Sequence, residues 1–152
     1  MQTNLANTAR RLHLLLVEDN PGDADLVIDA IRGFPCDVSV ATDGVEAIEF
    51  LRKEGRHAGA GDADLVLLDL NLPKLSGREV LARVKEDPAL KHIPVVIFSS
   101  SHAERDLLDS YRLHANCFVT KPVDLNEFLA SVGAVAQFWL GVVKLPTSAA
   151  RW

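Results

Sequence analysis

The sequence has few of the residues that cross-link small secreted proteins or hold soft metals. It contains two cysteines, Cys36 and Cys117, which lie far apart and form no paired-cysteine motif of the kind that binds metals. Neither a disulfide framework nor a structural zinc site is therefore expected. Two reduced thiols are typical of a protein that works in a reducing cytoplasm, and a cytoplasmic location is our expectation.

Long apolar runs and an excess of positive charge are also missing. No uninterrupted apolar stretch reaches the roughly 18 residues that span a bilayer, and the polar residues 1–11 lack the apolar centre of a signal peptide. Lys and Arg number 16 against 21 Asp and Glu, which gives a net charge of −5. An acidic chain offers no basic surface to nucleic acid, so we expect neither nucleic acid nor a membrane as a partner.

What is present fits one globular domain. The chain has 152 residues, of which 48% are hydrophobic and 24% charged, and this length and mixture can form one buried core. Short apolar runs alternate with amphipathic stretches, which predicts a parallel sheet covered by helices on both faces. The predicted strands are residues 12–17, 38–41, 63–69, 94–98 and 115–119, and the predicted helices are residues 23–31, 43–51, 78–86, 105–113 and 125–139.

Polar residues follow four of the five predicted strands. Glu18 and Asp19 come after the first strand, Asp69 ends the third, Ser99 follows the fourth and Lys121 follows the fifth. In an open α/β sheet, ligands bind outside the carboxyl ends of the strands. We therefore expect three carboxylates, a hydroxyl and an ammonium group in one pocket.

The chemistry of this pocket points to a divalent cation and a phosphoryl group. Adjacent carboxylates repel one another, and Mg²⁺ relieves that repulsion because it prefers carboxylate and phosphate oxygens. These loops contain no cysteine or histidine, which disfavours softer metals. A carboxylate such as Asp69 can attack phosphorus and form an aspartyl phosphate, with Lys121 offsetting the negative charge.

These motifs, taken in order, resemble the CheY-like receiver domain of two-component response regulators. The residues that carry the resemblance are Glu18-Asp19, Asp69-Leu70-Asn71-Leu72-Pro73 with Gly77, Ser99, and Lys121-Pro122. The resemblance implies an α/β, doubly wound, flavodoxin-like (βα)5 fold with a parallel five-stranded sheet of order 2-1-3-4-5. It assigns residues 12–138 to the receiver, 1–11 to a flexible N-terminus and 139–152 to a C-terminal extension.

The resemblance also implies roles for the residues at the acceptor. Asp69 is expected to be the phosphoacceptor, and Lys121 to pair first with it and then with the phosphoryl oxygens. The Mg²⁺ or Mn²⁺ ligands are expected to be Asp69, Asp19 directly, Glu18 through water, and Asn71 through its backbone carbonyl. The phosphoryl donor is expected to be a phosphohistidine on a sensor histidine kinase, so the protein is a signalling protein that catalyses only its own phosphotransfer and autodephosphorylation.

Two further family features follow from the same resemblance. Ser99 is expected to be the switch hydroxyl that moves to the phosphoryl group, and Phe118 the aromatic switch residue coupled to it. The Lys121–Pro122 peptide bond is expected to be cis, a form largely confined to bonds before proline.

A narrower resemblance comes from the segments DLNLP, GREVL and FWLGVVKLP, which begin at Asp69, Gly77 and Phe138. They are similar to the small response regulators of bacterial and cyanobacterial phytochromes. This implies a phytochrome-type kinase and a homodimer supported by Phe138, Trp139 and Leu140. The 14 residues 139–152 are too few for a DNA-binding module, so the output is expected to be contact with a downstream protein that the sequence does not identify.

Other interpretations of the same residues remain open at the sequence level. Singly, each motif can be an ordinary loop, cap or surface charge. An aspartyl-phosphate hydrolase usually has a second carboxylate two residues after its nucleophile, where this chain has Asn71. A dinucleotide-binding domain needs G-x-G-x-x-G after the first strand, where this chain has Glu18-Asp19-Asn20-Pro21-Gly22. An interaction module that has lost phosphorylation is disfavoured because every acceptor-site residue is present.

Overall fold

Five strands alternate with five helices along the part of the chain that the structure describes. The computed structural model describes residues 11–146; the predicted flexible N-terminus therefore lies outside the described residues except for Arg11. The strands are β1 Leu12–Val17, β2 Cys36–Ala41, β3 Leu65–Leu68, β4 Val95–Ser99 and β5 Cys117–Thr120, and the helices are α1 Pro21–Ile31, α2 Gly44–Arg52, α3 Gly77–Glu86, α4 Glu104–Arg112 and α5 Leu125–Ala136, with a short 3-10 turn at Gly55–His57.

Four of the helices begin at a polar side chain that caps the first turn. Asn20, Asp43, Ser76 and Asp124 each accept a hydrogen bond from the backbone N–H three residues later. Such caps satisfy N–H groups that have no partner inside the helix. α1 begins at Pro21, two residues before the predicted start, because proline is well suited to the first helical turn.

The sheet has the order β2-β1-β3-β4-β5, and every neighbouring pair is parallel. This confirms the predicted fold class and strand order. The register also aligns the carboxyl ends of the central strands, since Val17 pairs with Leu68, Leu68 with Ile97, and Ile97 with Phe118. The residues that follow these positions therefore meet at one edge of the sheet.

Apolar side chains fill both faces of the sheet, as continuous apolar strands require. Leu15, Val17, Val66 and Leu68 join one core with α2 and α3, whereas Leu14, Leu16 and Leu67 join the other with α1 and α5. Successive strand residues point to opposite faces, so the two cores share the same short strands. This burial makes the sheet a rigid support for the loops at its edge.

The last helix continues past α5 in wider π-type turns over Gln137–Val142. Leu140 and Leu145 are buried, and Leu140 belongs to the same core as α1 and α5. The described part of the C-terminal extension thus packs back onto the domain.

In the described part of the chain, the stretch Leu125–Val142 is the one candidate membrane span by length and composition, with a mean hydropathy of 1.2 and 22% of it buried. The core helix of a folded domain can meet the same criteria. Here α5 packs against α1, with Phe128, Val132 and Ala136 buried.

Candidate functional site

The ammonium group of Lys121 contacts three carboxylates at the carboxyl edge of the sheet. Its Nζ donates to Glu18 Oε1 at 2.6 Å, to Asp69 Oδ2 at 2.9 Å and to Asp23 Oδ2 at 3.0 Å. Lys121, Glu18 and Asp69 are buried, although charged side chains are seldom fully buried unless they are paired. The cluster is therefore a specific ionic site and not a set of solvated loop residues.

Hydrogen bonds that continue the strand ladders hold the backbone of this site. The N–H of Glu18 donates to the carbonyl of Ala41, the N–H of Asp69 to that of Val17, and the N–H of Lys121 to that of Ser99. Each functional residue thus stands next to a strand residue whose position the sheet sets. The parallel register explains why residues more than 50 positions apart in the chain meet here.

Burial and pairing change the acidity of the two innermost groups. Burial raises the pKa of Glu18 to about 7, although its hydrogen bond to Lys121 acts in the opposite direction. Burial alone would lower the pKa of Lys121, but hydrogen bonds to Glu18 and Asp69 raise it above its ordinary value. Lys121 therefore stays protonated at neutral pH and supplies a permanent positive charge beside Asp69.

Three carboxylates at this edge offer a set of oxygen ligands. One oxygen each from Glu18, Asp19 and Asp69 lies within 4.8 Å of the others, with Asp19 exposed and the other two buried. Hard divalent cations such as Mg²⁺ and Mn²⁺ prefer this donor chemistry. The backbone N–H of Asn71 donates to Asp69 Oδ1 at 3.1 Å, which orients the carboxylate. The residues present therefore fit a divalent metal.

The loop after Asp69 is held close by a glycine at the start of α3. A Cβ atom on Gly77 would lie 2.1 Å from the carbonyl oxygen of Asp69 and 2.6 Å from Leu70 Cα. The N–H of Gly77 donates to the carbonyl of Leu70 at 3.0 Å. Only glycine permits this approach, so Gly77 packs α3 directly against the backbone of the acidic residue.

Comparison with known proteins identifies the family. Residues 14–133 match the model of the response regulator receiver domain. The chain belongs to this family. The response regulator Rcp1 of Synechocystis sp. is 42% identical over 137 residues, which cover 89% of this chain and 93% of Rcp1.

Two solved receiver structures are similar to this one. The phosphorylated cyanobacterial phytochrome response regulator RcpA is 46% identical and superposes with a TM-score of 0.88, covering 90% of this chain and 99% of RcpA. The Mn²⁺-bound form of Rcp1 is 42% identical with a TM-score of 0.86, covering 89% of this chain and 99% of that one. The resemblance to phytochrome response regulators that the sequence indicated is thus confirmed.

The receiver's two predicted switch residues lie on adjacent strands. Ser99 ends β4 and is fully buried, and its Oγ accepts a hydrogen bond from the Ser101 N–H at 3.3 Å. Phe118 in β5 is half-buried and lines an open hollow together with Ser101 and Thr120. No hydrogen bond of the described residues joins the Ser99 hydroxyl to Asp69.

The prediction of a cis bond between Lys121 and Pro122 is wrong for this structure. The bond is trans, the form that an X–Pro bond favours by roughly 0.5–1 kcal/mol. Lys121 reaches the carboxylates with the trans bond in place.

The three residues predicted to support a dimer differ in exposure. Phe138 is half-exposed, whereas Trp139 is half-buried and packs against the core that contains α1 and α5. Leu140 is buried in the core of its own chain. Of the three, Phe138 presents the largest apolar surface to a second molecule.

Sequence reasoning missed Asp23, the third carboxylate on Lys121. Asp23 lies in the first turn of α1, three residues after the cap Asn20. An acidic residue in the first turn of a helix is usually interpreted as a charge that stabilises the helix. The sequence indicated a role for Asp23 only through its position one helical turn after the acidic pair. The contact itself depends on where the end of β5 places Lys121.

Proposed function

We propose that this receiver accepts a phosphoryl group on Asp69 from a phosphohistidine of a sensor histidine kinase. The observation that carries this proposal is the ion pair of Lys121 Nζ with Asp69 Oδ2 at 2.9 Å, in a buried site with two more acidic ligands nearby. A pre-positioned carboxylate and a fixed positive charge are what phosphoryl transfer requires, because its catalysis is mostly positioning and charge neutralisation.

In the transfer step, a carboxylate oxygen of Asp69 forms a bond to phosphorus as the bond from phosphorus to the histidine nitrogen breaks. The hydrogen bond from the Asn71 N–H to Oδ1 holds the carboxylate in orientation. Lys121 bridges Oδ2 and the incoming phosphoryl oxygens. An ammonium group has three N–H donors, and all three bond to carboxylates at rest, so Lys121 exchanges one of these bonds for a phosphoryl oxygen.

The residues that would hold Mg²⁺ or Mn²⁺ are Asp19, Asp69 and Asn71, with Glu18 acting through water. The cation would supply charge neutralisation between the carboxylates and the phosphoryl oxygens. Asp19 is the one exposed member of the acidic cluster, which leaves the site open on that side to solvent and to the donor.

Phosphorylation is then read out through Ser99 and Phe118. The phosphoryl group adds negative charge and acceptor oxygens, and Ser99 turns its hydroxyl toward them. Phe118 follows because it lies on the strand paired with β4. Hydrolysis of the aspartyl phosphate by the receiver itself returns the site to its resting state.

The proposed partners follow from the relatives. We infer a phytochrome-type kinase as donor, because this chain resembles phytochrome response regulators over about nine-tenths of its length. A homodimer formed through the C-terminal extension and a downstream protein target complete the proposal. The cytoplasm is the proposed compartment, in keeping with the free thiols Cys36 and Cys117.

Labelling by a small phosphodonor such as acetyl phosphate in Mg²⁺ tests the acceptor. We expect the wild type to be labelled and Asp69→Asn to be unlabelled, with Asp29→Asn on the exposed side of α1 as the matched control. Labelling of Asp69→Asn equal to that of the wild type would refute the assignment of Asp69 as the phosphoacceptor. Continuous turnover of a free phosphate ester would favour a hydrolase instead.

The partner is tested separately by transfer from purified kinases. Transfer within seconds from a phytochrome-type kinase, and slower transfer from unrelated kinases, is the expected result. Equal or faster transfer from an unrelated kinase would contradict the proposal of a phytochrome-type kinase, but it would not affect the assignment of Asp69 as the acceptor.

A further inference from the structure

We propose that Arg78 is a positioning residue that holds the loop of the switch hydroxyl Ser99 in its resting arrangement. This inference rests on the proposed role of Ser99 and deepens it. It concerns a chain of polar contacts from α3 to the loop after β4, which we call the Arg78–Asp106 bridge: the residues Arg78, Asp106 and Ser101.

The bridge begins beside the acceptor. Arg78 follows Gly77, the glycine that packs on the carbonyl of Asp69, so its backbone adjoins the acceptor loop. Its Nη2 donates to Asp106 Oδ1 on α4, and its Nη1 lies 3.7 Å from Asp109 Oδ2 on the same helix. Arg78 thus joins the helix after the acceptor to the helix after the hydroxyl.

The bridge ends at the switch hydroxyl. The hydroxyl of Ser101 donates to Asp106 Oδ2 at 2.5 Å, and the backbone N–H of Ser101 donates to Ser99 Oγ at 3.3 Å. Three consecutive contacts therefore connect the guanidinium group to the Ser99 oxygen. The N–H of Ala103 also donates to Ser101 Oγ at 3.3 Å, which fixes the rest of the loop.

This arrangement stabilises the resting position of Ser99. If Ser99 turns its oxygen away from the Ser101 N–H, or if the loop moves as a unit toward Asp69, the contacts of this loop must change. Asp106 resists both changes, since it is tied to Ser101 on one side and to Arg78 on the other. The Ser110 hydroxyl, which is fully buried, donates to the Asp106 carbonyl at 2.7 Å and holds the turn of α4 that carries this carboxylate.

One nitrogen of the Arg78 guanidinium group takes no part in the bridge. The Nε of Arg78 is buried and has no hydrogen-bond partner among the described residues. A buried donor without a partner is costly, so a rearranged loop that offers it an acceptor would compete with the resting arrangement. The bridge is therefore suited to a loop with two arrangements, which is the kind of element that a local charge change can bias.

The test measures the affinity of the full chain for beryllofluoride, a phosphoryl mimic that binds a carboxylate beside Mg²⁺. Its binding is followed by the NMR shifts of the Ser99 and Ser101 amides. Arg78→Gln is expected to bind the mimic about two- to fivefold more tightly than the wild type, the range that a partly exposed ion pair supports. Arg83→Gln, an exposed arginine on the same helix, is the matched control and is expected to leave the affinity unchanged.

Four further variants separate positioning from general stability. Ser101→Ala and Asp106→Asn are expected to tighten binding as Arg78→Gln does, and the double variant Arg78→Gln with Asp106→Asn to add little, because both act through one contact. Arg78→Lys keeps the charge and is expected to fall between Arg78→Gln and the wild type. Unfolding free energies measured with and without the mimic show whether each variant loses more stability in its absence, as a resting-state contact requires.

The inference is overturned if Arg78→Gln binds the mimic as tightly as the wild type or more weakly, or if it loses equal stability with and without the mimic. A failure of the proposed function appears differently. In that case the wild type does not bind the mimic, or Asp69→Asn binds it as well as the wild type does.

Discussion

The Lys121 ammonium lies 2.9 Å from Asp69 Oδ2, although the two residues are 52 positions apart in the chain. The contact is made because β3 and β5 both end at the same edge of the sheet, and β4 lies between them. It places a fixed cation against the proposed acceptor before any phosphoryl group arrives. The first two predictions concern this cation and its partners.

Removing the cation is expected to destabilise the fold as well as the function. Lys121→Met leaves Glu18 and Asp69 buried without their counter-charge, and breaking a buried ion pair in this way costs roughly 3–5 kcal/mol. Urea unfolding should show this loss, and added Mg²⁺ should restore part of it because a ligand of the folded state stabilises that state. Exposed Lys91→Met is the control. A Lys121→Met protein of unchanged stability would contradict the prediction.

Asp23 is expected to serve the reaction more than the fold. Its side chain is 29% exposed and contributes one of the three contacts to Lys121, so Asp23→Asn should change the unfolding free energy by about 1 kcal/mol or less. Labelling by acetyl phosphate should slow severalfold, since Lys121 loses a contact that orients its Nζ. Asp25→Asn, exposed on the same helix, provides the comparison. Equal labelling rates for the two variants would show that Asp23 has no such role.

Gly77→Ala tests the close packing of α3 on the acceptor loop. The new Cβ would meet the Asp69 carbonyl oxygen at 2.1 Å, so the start of α3 or the loop must shift, which typically costs about 1–3 kcal/mol. We expect lower thermal stability together with slower labelling. Gly33→Ala is the control because nothing lies within 4 Å of its Cβ position. A Gly77→Ala protein with wild-type stability and labelling would show that the loop yields without cost.

The acid side of the stability curve is expected to depend on Glu46. Burial opposes ionisation of this carboxyl group, but hydrogen bonds from the Thr42 N–H and from Arg56 hold its pKa below the ordinary value of 4.5. A lowered pKa in the folded state adds stability that is present above about pH 4.5 and is lost as pH falls below it. Glu46→Gln should therefore lower stability at pH 7 and flatten this acid-side loss in denaturant titrations. Exposed Glu54→Gln should keep the wild-type profile.

The proposed dimer is best tested at Phe138. Phe138 is half-exposed, so Phe138→Glu should yield monomers by light scattering with the fold intact. Leu140→Ala should instead lower the unfolding free energy by roughly 2–5 kcal/mol, because Leu140 is buried in its own chain. Ending the chain at Ala136 would remove buried Leu140 and Leu145 together and so confuse the two effects. A Phe138→Glu protein that dimerises like the wild type would contradict the prediction.

Much of the fold could be predicted from residue patterns because it depends on local chemistry. The apolar runs are strands in the structure, and the alternation with helices led to the observed parallel sheet. Strand bounds moved by up to two residues; β2, for example, begins at Cys36 because it pairs along the whole of β1. Such shifts arise because pairing partners, and not the strand's own residues, decide where a ladder ends.

The sequence by itself determined which chemical groups reach the edge of the sheet: Glu18, Asp19, Asp69, Ser99 and Lys121 each lie at or just after the end of a strand. Only the tertiary structure decided which of them touch and what else joins them. It added Asp23 to Lys121, turned Leu140 inward, kept the Lys121–Pro122 bond trans and linked Arg78 to Ser99 through Asp106. A strand's pattern sets which residues lie near its end, whereas the side-chain partners depend on how elements from distant parts of the chain pack against it.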